Sequence, residues 1–310
     1  MSGHDATRLV DFTERMAHQL ASLMETYGPG DWTRPWRDSG CAHALSPTNA
    51  VTGRAYHGCN VWQFAGCALE RSYATGSWAT YKQWQSIGAQ VRKGEKGTPG
   101  VKWAPIVRTV CDETTGEDVE LTGARLVPRW FTVFNAAQVD GYHAPAVSSG
   151  PVWEPEHHAD RFFGCIGADV RHGGDRAFYA PVQDYIGMPD RAQFAEPAGY
   201  YATLAHEHVH WTGHPSRLGR DLRHRFGSEA YAWEELVAEL GSAVLCARLG
   251  LETQPRPDHA AYLASWIGGL REQPKALLTV TAKASDAVEW LEGAGQAGES
   301  AAATDLQAAA

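Results

Sequence analysis

No stretch of this 310-residue chain is apolar over the length a bilayer crossing requires, and its amino terminus lacks the charged segment, apolar run and small-residue cleavage site of an export signal. A helical membrane span is excluded, and a cytoplasmic protein is expected. Cysteine is sparse: Cys41, Cys59, Cys67, Cys111, Cys165 and Cys246 are irregularly spaced and form no Cys-x-x-Cys pair. That pattern excludes a four-cysteine structural zinc site and reads as reduced thiols rather than a disulfide framework. Basic charge is short in the second half. Residues 1–150 hold 14 Lys and Arg against 14 Asp and Glu, whereas the remainder hold 13 against 22, so the formal net charge of −9 belongs to the carboxyl-terminal half. Within the first half, residues 61–110 carry seven basic residues against two acids, and an anionic partner is expected there. With 44% hydrophobic content, the chain is long enough for two cores.

What the chain does contain is His206-Glu207-His208-Val209-His210, an H-E-x-x-H pattern preceded by Tyr200-Tyr201-Ala202-Thr203-Leu204-Ala205, with no proline or glycine to break a helix. Positions four apart on a helix lie one turn above each other, so His206 and His210 project from one face at a separation that a single divalent cation bridges. Glu207 is placed to act as general base toward a water without being a ligand itself. His208 points to the opposite side and reads as structural.

A third ligand is needed from a later helix. Trp233-Glu234-Glu235-Leu236-Val237-Ala238-Glu239-Leu240 supplies candidates, with Glu235 as the ligand and Glu239 as acceptor for the N–H of a ligating histidine, which fixes its ring. Two other readings stand beside this one. The acids at 234, 235 and 239 could form the solvated stripe of an amphipathic helix whose core face is Leu236, Val237, Leu240, Val244 and Leu245. His214 continues the row from His206 and His210, but it precedes Pro215, and Ser216 stands where the longer metzincin pattern asks for another histidine. Three protein ligands leave one coordination position open, the arrangement of a catalytic rather than a structural site. Two imidazoles and a carboxylate suit Zn²⁺ best and also admit Mn²⁺ or Co²⁺. For stabilising an oxyanion, Tyr200, Tyr231 and His224 are candidates without distinction among them.

Small residues, prolines and glycine over 143–151 mark a boundary, giving an α+β protein of two domains: residues 1–142, a linker over 143–155, a metallopeptidase-like domain over 156–292 and a tail over 293–310. The first domain opens with a helix over roughly 5–27, from the spacing of Leu9, Phe12, Met16, Leu20 and Leu23. Strand-like runs follow at 100–103 and 129–134, with a loop at 112–118. The tail, rich in Ala and Gly with few large apolar side chains, is expected to be disordered.

Aromatic residues in the first domain alternate with polar and basic ones, as in Trp32-Thr33-Arg34-Pro35-Trp36 and Trp78-Ala79-Thr80-Tyr81-Lys82-Gln83-Trp84, followed by Arg92-Lys93-Gly94-Glu95-Lys96-Gly97. Exposed rings beside cations suit single-stranded DNA of any sequence, because every base has a π-face and the cations follow the phosphates. The competing reading places these tryptophans in a core and makes the basic segment a charged hairpin turn.

Several of these segments, in order, resemble one family. Residues 49–60, ending at Asn60, together with 78–83, 90–98 and 131–135, resemble the amino-terminal domain of the ArdC antirestriction proteins, and 201–218 with 234–241 resemble that family's zincin-like metallopeptidase domain. The resemblance runs from about residue 10 to 290. It implies a protein of a plasmid or phage whose first domain binds single-stranded DNA, with Trp32, Arg34, Trp36, Asn60, Trp78, Tyr81, Lys82, Arg92, Lys93 and Lys96 as the proposed contact set. It also implies that incoming DNA is shielded from host restriction. Two functions are carried forward: a DNA-protecting protein with a metal site whose peptidase activity is left open, and a DNA-targeted metalloprotease that cleaves DNA-bound proteins or a regulator.

Overall fold

The computed structural model describes residues 3–26, 42–111, 118–143, 155–194, 196–222, 229–251 and 260–308. The chain begins with α1 (Gly3–Thr26), which buries Leu9, Phe12, Met16 and Leu20 along one stripe, and continues through α2 (Ala42–Leu45), β1 (Thr48–Asn49) and α3 (Cys59–Glu70). Next come β2 (Ser77–Ala79), α4 (Tyr81–Ser86) and β3 (Gln90–Val91), then two long strands, β4 (Thr98–Cys111) and β5 (Asp118–Asn135), and a short β6 (Val139–Asp140). The two strand-like runs of the sequence are thus pieces of one antiparallel ribbon with a register shift between Pro105 and Val107, in a four-stranded sheet ordered β1-β2-β5-β4. β3 and β6 pair separately, Gln90 opposite Asp140. The loop expected between the long strands and most of the linker lie outside the described residues.

The second half comprises α5 (Pro155–Ile166), a three-stranded sheet of β7 (Asp169–His172), β8 (Phe178–Ala180) and β9 (Tyr185–Met188), and then α6 (Pro197–Thr212), α7 (Glu229–Arg248), α8 (Ala260–Glu272) and α9 (Ala276–Ala308). α6 starts with proline at its first turn, where the missing N–H costs nothing. The mixture is α+β, as expected.

Two departures from the sequence reading matter. The first is that the largest core is continuous across both domains. Phe12, Met16 and Leu20 of α1 and Val61 and Trp62 of α3 share it with Leu204, Val209, Leu236, Leu240, Trp266 and Val288. Polar links cross as well: the Gly58 N–H donates to Ser285 Oγ at 3.0 Å, and His57 Nε2 lies 3.1 Å from Asp286. The sheet keeps two smaller clusters of its own, around Phe64, Trp78 and Val133 and around Trp84, Val91 and Val139.

The second is a correction. The tail expected to be disordered is helical to Ala308, continuing α9. Two of its glycines are contact points rather than breaks, since a Cβ on Gly295 would lie 2.8 Å from the Phe162 ring and one on Gly298 only 2.1 Å from the Cys165 carbonyl oxygen. Small residues let α9 approach α5 closely while α5 supplies the large rings, and Arg161 pairs with Glu299 at 3.2 Å. The apolar count of the tail alone therefore missed the burial its partner provides.

Candidate metal centre and nucleic-acid face

The H-E-x-x-H segment lies on α6 as its spacing requires, and α7 packs against that helix. Gly241 of α7 sets the distance between them: a Cβ there would stand 2.9 Å from Val209 Cγ2, so the missing side chain lets the backbones come close. This proximity outweighs the roughly 1 kcal/mol that glycine costs inside a helix. Replacing Gly241 with alanine should force the β-branched Val209 aside, lower stability by about 1–3 kcal/mol in thermal or denaturant unfolding, and weaken divalent-metal affinity.

Between the helices His206, His210 and Glu235 meet, each with a ligand atom within 4.8 Å of the others. Glu235 reaches both rings, Oε2 to His206 Nε2 and Oε1 to His210 Nε2, each at 3.5 Å. The two Nε2 atoms are 3.1 Å apart. Glu234, Glu235 and Glu239 are all buried, which overturns the solvated-stripe reading, while Leu236, Val237, Leu240, Val244 and Leu245 do form the core face. His214 leaves the row because α6 ends at Thr212; its Nδ1 pairs with Ser216 Oγ at 2.7 Å and it is outside the cluster.

Both rings are backed on the far side. Glu239 Oε2 stands 3.7 Å from His206 Nδ1, where the sequence spacing places it. His210 Nδ1 has a counterpart that the sequence reading assigned no role: Glu234 Oε1 at 3.5 Å. Glu234 is in turn gripped by Arg220, whose Nε and NH2 donate to Oε1 at 3.1 and 3.0 Å while NH1 reaches Thr212 Oγ1 at 2.8 Å and NH2 the Val209 carbonyl at 2.6 Å. No helical spacing connects Arg220 to Glu234, so no periodic signal announced it.

The charges are strongly coupled. Burial would raise the Glu235 carboxyl, but hydrogen bonds from the two imidazoles hold it well below the usual carboxylate range. Burial alone would depress His210, yet hydrogen bonds to Glu234 and Glu235 push it up to about 10. His208 is structural, as expected. Its Nδ1 lies 2.8 Å from the Leu204 carbonyl, its ring packs on Phe163, and burial drives it down to about 4. Of the oxyanion candidates, Tyr200 has its hydroxyl 2.9 Å from His172 Nε2 on β7, and His224 is outside the described residues.

The donor set itself fits a divalent cation: two imidazole nitrogens and a carboxylate, buried and convergent, with each imidazole backed by an acid.

On the first domain the proposed DNA contacts divide. Tyr81, Lys82, Arg92, Lys93 and Lys96 are exposed. Trp78 and Asn60 are corrections. Trp78 is fully enclosed and stacks on Phe64 at 5.2 Å, so no base can reach it. Asn60 is buried, and its amide bridges the Val101 carbonyl at 2.7 Å and N–H at 2.9 Å, pinning α3 to β4. Trp32, Arg34 and Trp36 are outside the described residues. Arg92 is internally neutralised, by Glu95 at 3.0 Å and Asp140 at 3.5 Å. The ribbon brings together two further cations, Lys102 on β4, one of the seven basic residues of 61–110, directly opposite Arg129 on β5, both exposed.

Comparison with known proteins finds two family domains in the chain. Residues 10–134 match the N-terminal domain of anti-restriction factor ArdC, and residues 157–283 match a zincin-like metallopeptidase family. A protein of Sinorhizobium fredii described as uncharacterized protein y4eC is 43% identical over 91% of each chain. A DNA primase TraC of Escherichia coli is 42% identical over 88% of this chain, which spans only 26% of that primase. The metal-free crystal structure of the antirestriction ArdC protein from the R388 plasmid superposes with a TM-score of 0.72 at 38% identity, covering 92% of this chain and 98% of that one. Its Mn(II)-bound crystal structure gives 0.70 at 36%, covering 91% and 97%. With the amino-terminal ArdC domain and the zincin-like domain in the same order and over nearly the same length, this chain belongs to the ArdC family of antirestriction proteins.

Proposed function

We propose that the protein binds single-stranded DNA without strict sequence dependence, protects incoming plasmid or phage DNA in the recipient cytoplasm, and carries a metal site able to support amide hydrolysis. The observation that carries this reading is the convergence of His206, His210 and Glu235 in a chain whose other domain presents a basic, aromatic face. His206 and His210 through Nε2, with Glu235, would hold the cation. Zn²⁺ suits the donors best, and Mn²⁺ or Co²⁺ remain compatible. A cation held there supplies Lewis acidity toward a substrate carbonyl. The protein's own residues do the rest: Glu239 and Glu234 fix the ring orientations, and Glu207 accepts a proton from the attacking water and returns it to the departing amine.

On the DNA side, Lys82, Lys93 and Lys96 would follow phosphates while Tyr81 stacks on a base. The Lys102 and Arg129 pair adds support, because like charges facing each other across a ribbon repel until an anion lies over them. Replacing Lys82, Lys93 and Lys96 with alanine should reduce the slope of log affinity against log salt by about 2, at roughly 0.7 per phosphate contact on single strands. An unchanged slope removes these lysines from the interface.

The second reading is a DNA-targeted metalloprotease, with the first domain delivering the site to a DNA-bound protein or regulator. Glu207→Gln separates the two, since it leaves the ligands in place and removes the general base. Transfer of unmodified plasmid DNA into a restricting host should be protected by the variant as well as by the parent. Loss of protection with metal content and DNA affinity intact would make proteolysis the working activity.

A further inference from the structure

An open cavity of about 530 Å³ lies on the amino-terminal domain, walled by Tyr81, Gln90, Arg92, Lys93, Phe134 and Asp140. Its walls are rigidly placed. Gln90 and Asp140 are opposite each other across the β3–β6 pair. Tyr81 opens α4, whose start is fixed by a capping box between Thr80 and Gln83, and Gln90 Nε2 donates to the Tyr81 hydroxyl at 3.1 Å. Tyr81 stays 42% exposed, with Phe134 edge-on to its ring at 6.4 Å.

The polar groups of this cavity suit a base better than a phosphate. Arg92 is already engaged by Glu95, by Asp140 and by the Ala137 carbonyl, so a phosphate here would meet two carboxylates. Glu95 spends both oxygens inside the fold, Oε1 on Arg92 and Oε2 on Gln138 at 2.9 Å. Asp140 does not: its side chain is 70% exposed, and Arg92 contacts only Oδ1, at a long 3.5 Å. The cavity therefore offers an aromatic surface, one carboxylate with acceptor capacity to spare, and the exposed ammonium of Lys93.

We infer that this cavity captures one unstacked guanine of the bound strand, with its ring against Tyr81 and its Watson–Crick edge on Asp140. Guanine carries N1–H and N2–H side by side, the pair of donors a carboxylate accepts with two oxygens. Adenine and cytosine put a ring-nitrogen lone pair beside their amine, and thymine flanks one N–H with two carbonyls, so each would set lone pairs against the carboxylate. The inference rests on the single-strand-binding reading above and adds a preference to it.

The test is fluorescence anisotropy of the full-length protein with an all-dT oligonucleotide, the same oligonucleotide with one central dG, and a third with deoxyinosine there, which lacks the N2 amine. The dG oligonucleotide should bind about tenfold tighter than all-dT, within the discrimination expected of one bidentate contact to a base. Deoxyinosine should fall back to the all-dT level, and Asp140→Asn should bring dG down to it. Equal binding of dG and dT, of dG and deoxyinosine, or a dG preference that survives Asp140→Asn, overturns the guanine site and leaves strand binding standing. No binding of any oligonucleotide overturns the strand-binding reading itself.

Discussion

Glu235→Ala should abolish stoichiometric metal loading, with a loss of affinity larger than the roughly 10–100-fold that removal of a partner behind a ligand costs. Glu235 is the only one of the three convergent residues contributed by α7, and it contacts both imidazoles. Without it, two rings on a single helix are left to bind a cation alone. Glu234→Gln should fall within the 10–100-fold range, because it removes the acid behind His210 and leaves all three convergent donors in place. Elemental analysis after dialysis, together with competition against a chelating dye, separates the two. Retention of one equivalent of metal by Glu235→Ala would remove Glu235 from the site.

The same geometry sets a pH dependence. In the metal-free protein His210, raised to about 10 by Glu234 and Glu235, holds a proton at neutral pH. A cation must displace it, so binding releases a proton and affinity climbs with rising pH. An imidazole at its ordinary value would give a curve that flattens above about pH 7. Here affinity should still rise by close to tenfold per pH unit between about pH 7 and pH 8. For folding the sign is the reverse. A raised histidine contributes stability in the metal-free protein that is complete below its unfolded value near 6.5 and is lost as pH climbs through about 10.

Gly298→Val should destabilise the protein by about 3 kcal/mol, the upper part of the usual overpacking range. A Cβ at this position falls 2.1 Å from the Cys165 carbonyl oxygen and 2.9 Å from its carbon. Those are backbone atoms of α5, unable to swing aside as a side chain could, so α9 must separate from α5 or α5 must shift. α9 also carries Val288 and Leu291 of the shared core and the Ser285 and Asp286 links to Gly58 and His57 just before α3, so the strain is transmitted toward both domains. Gly293→Ala is the matched control. That glycine sits in the same helix, exposed, with nothing within 4 Å of an added Cβ. It should gain up to about 1 kcal/mol from helix propensity. Equal effects of the two substitutions in denaturant unfolding would mean that the end of α9 is not packed as described.

These predictions divide along what sequence could and could not convey. The i, i+4 spacing of His206 and His210, the acids at 235 and 239, the core stripe of α7 and the amphipathic face of α1 are local periodicities, and each was legible because a helix converts spacing into direction without help from the rest of the chain. Exposure was not legible in that way. Trp78 and Tyr81 sit three residues apart in one motif, yet the first is enclosed by Phe64 and Val133 from other elements while the second faces solvent. Asn60 looked like a surface polar residue until β4 gave its amide two backbone partners.

From the sequence alone came the α+β class, the two-part organisation, the two imidazoles on one helix face and the acids that answer them. Only the tertiary structure decided which cations are already neutralised, as Arg92 is by Glu95 and Asp140, which acid backs His210, and that a glycine-rich tail is a packed helix. The reason is the range of the forces involved. Helix periodicity is written in neighbouring residues, whereas burial, ion pairing and close helix approach depend on what a distant segment brings alongside.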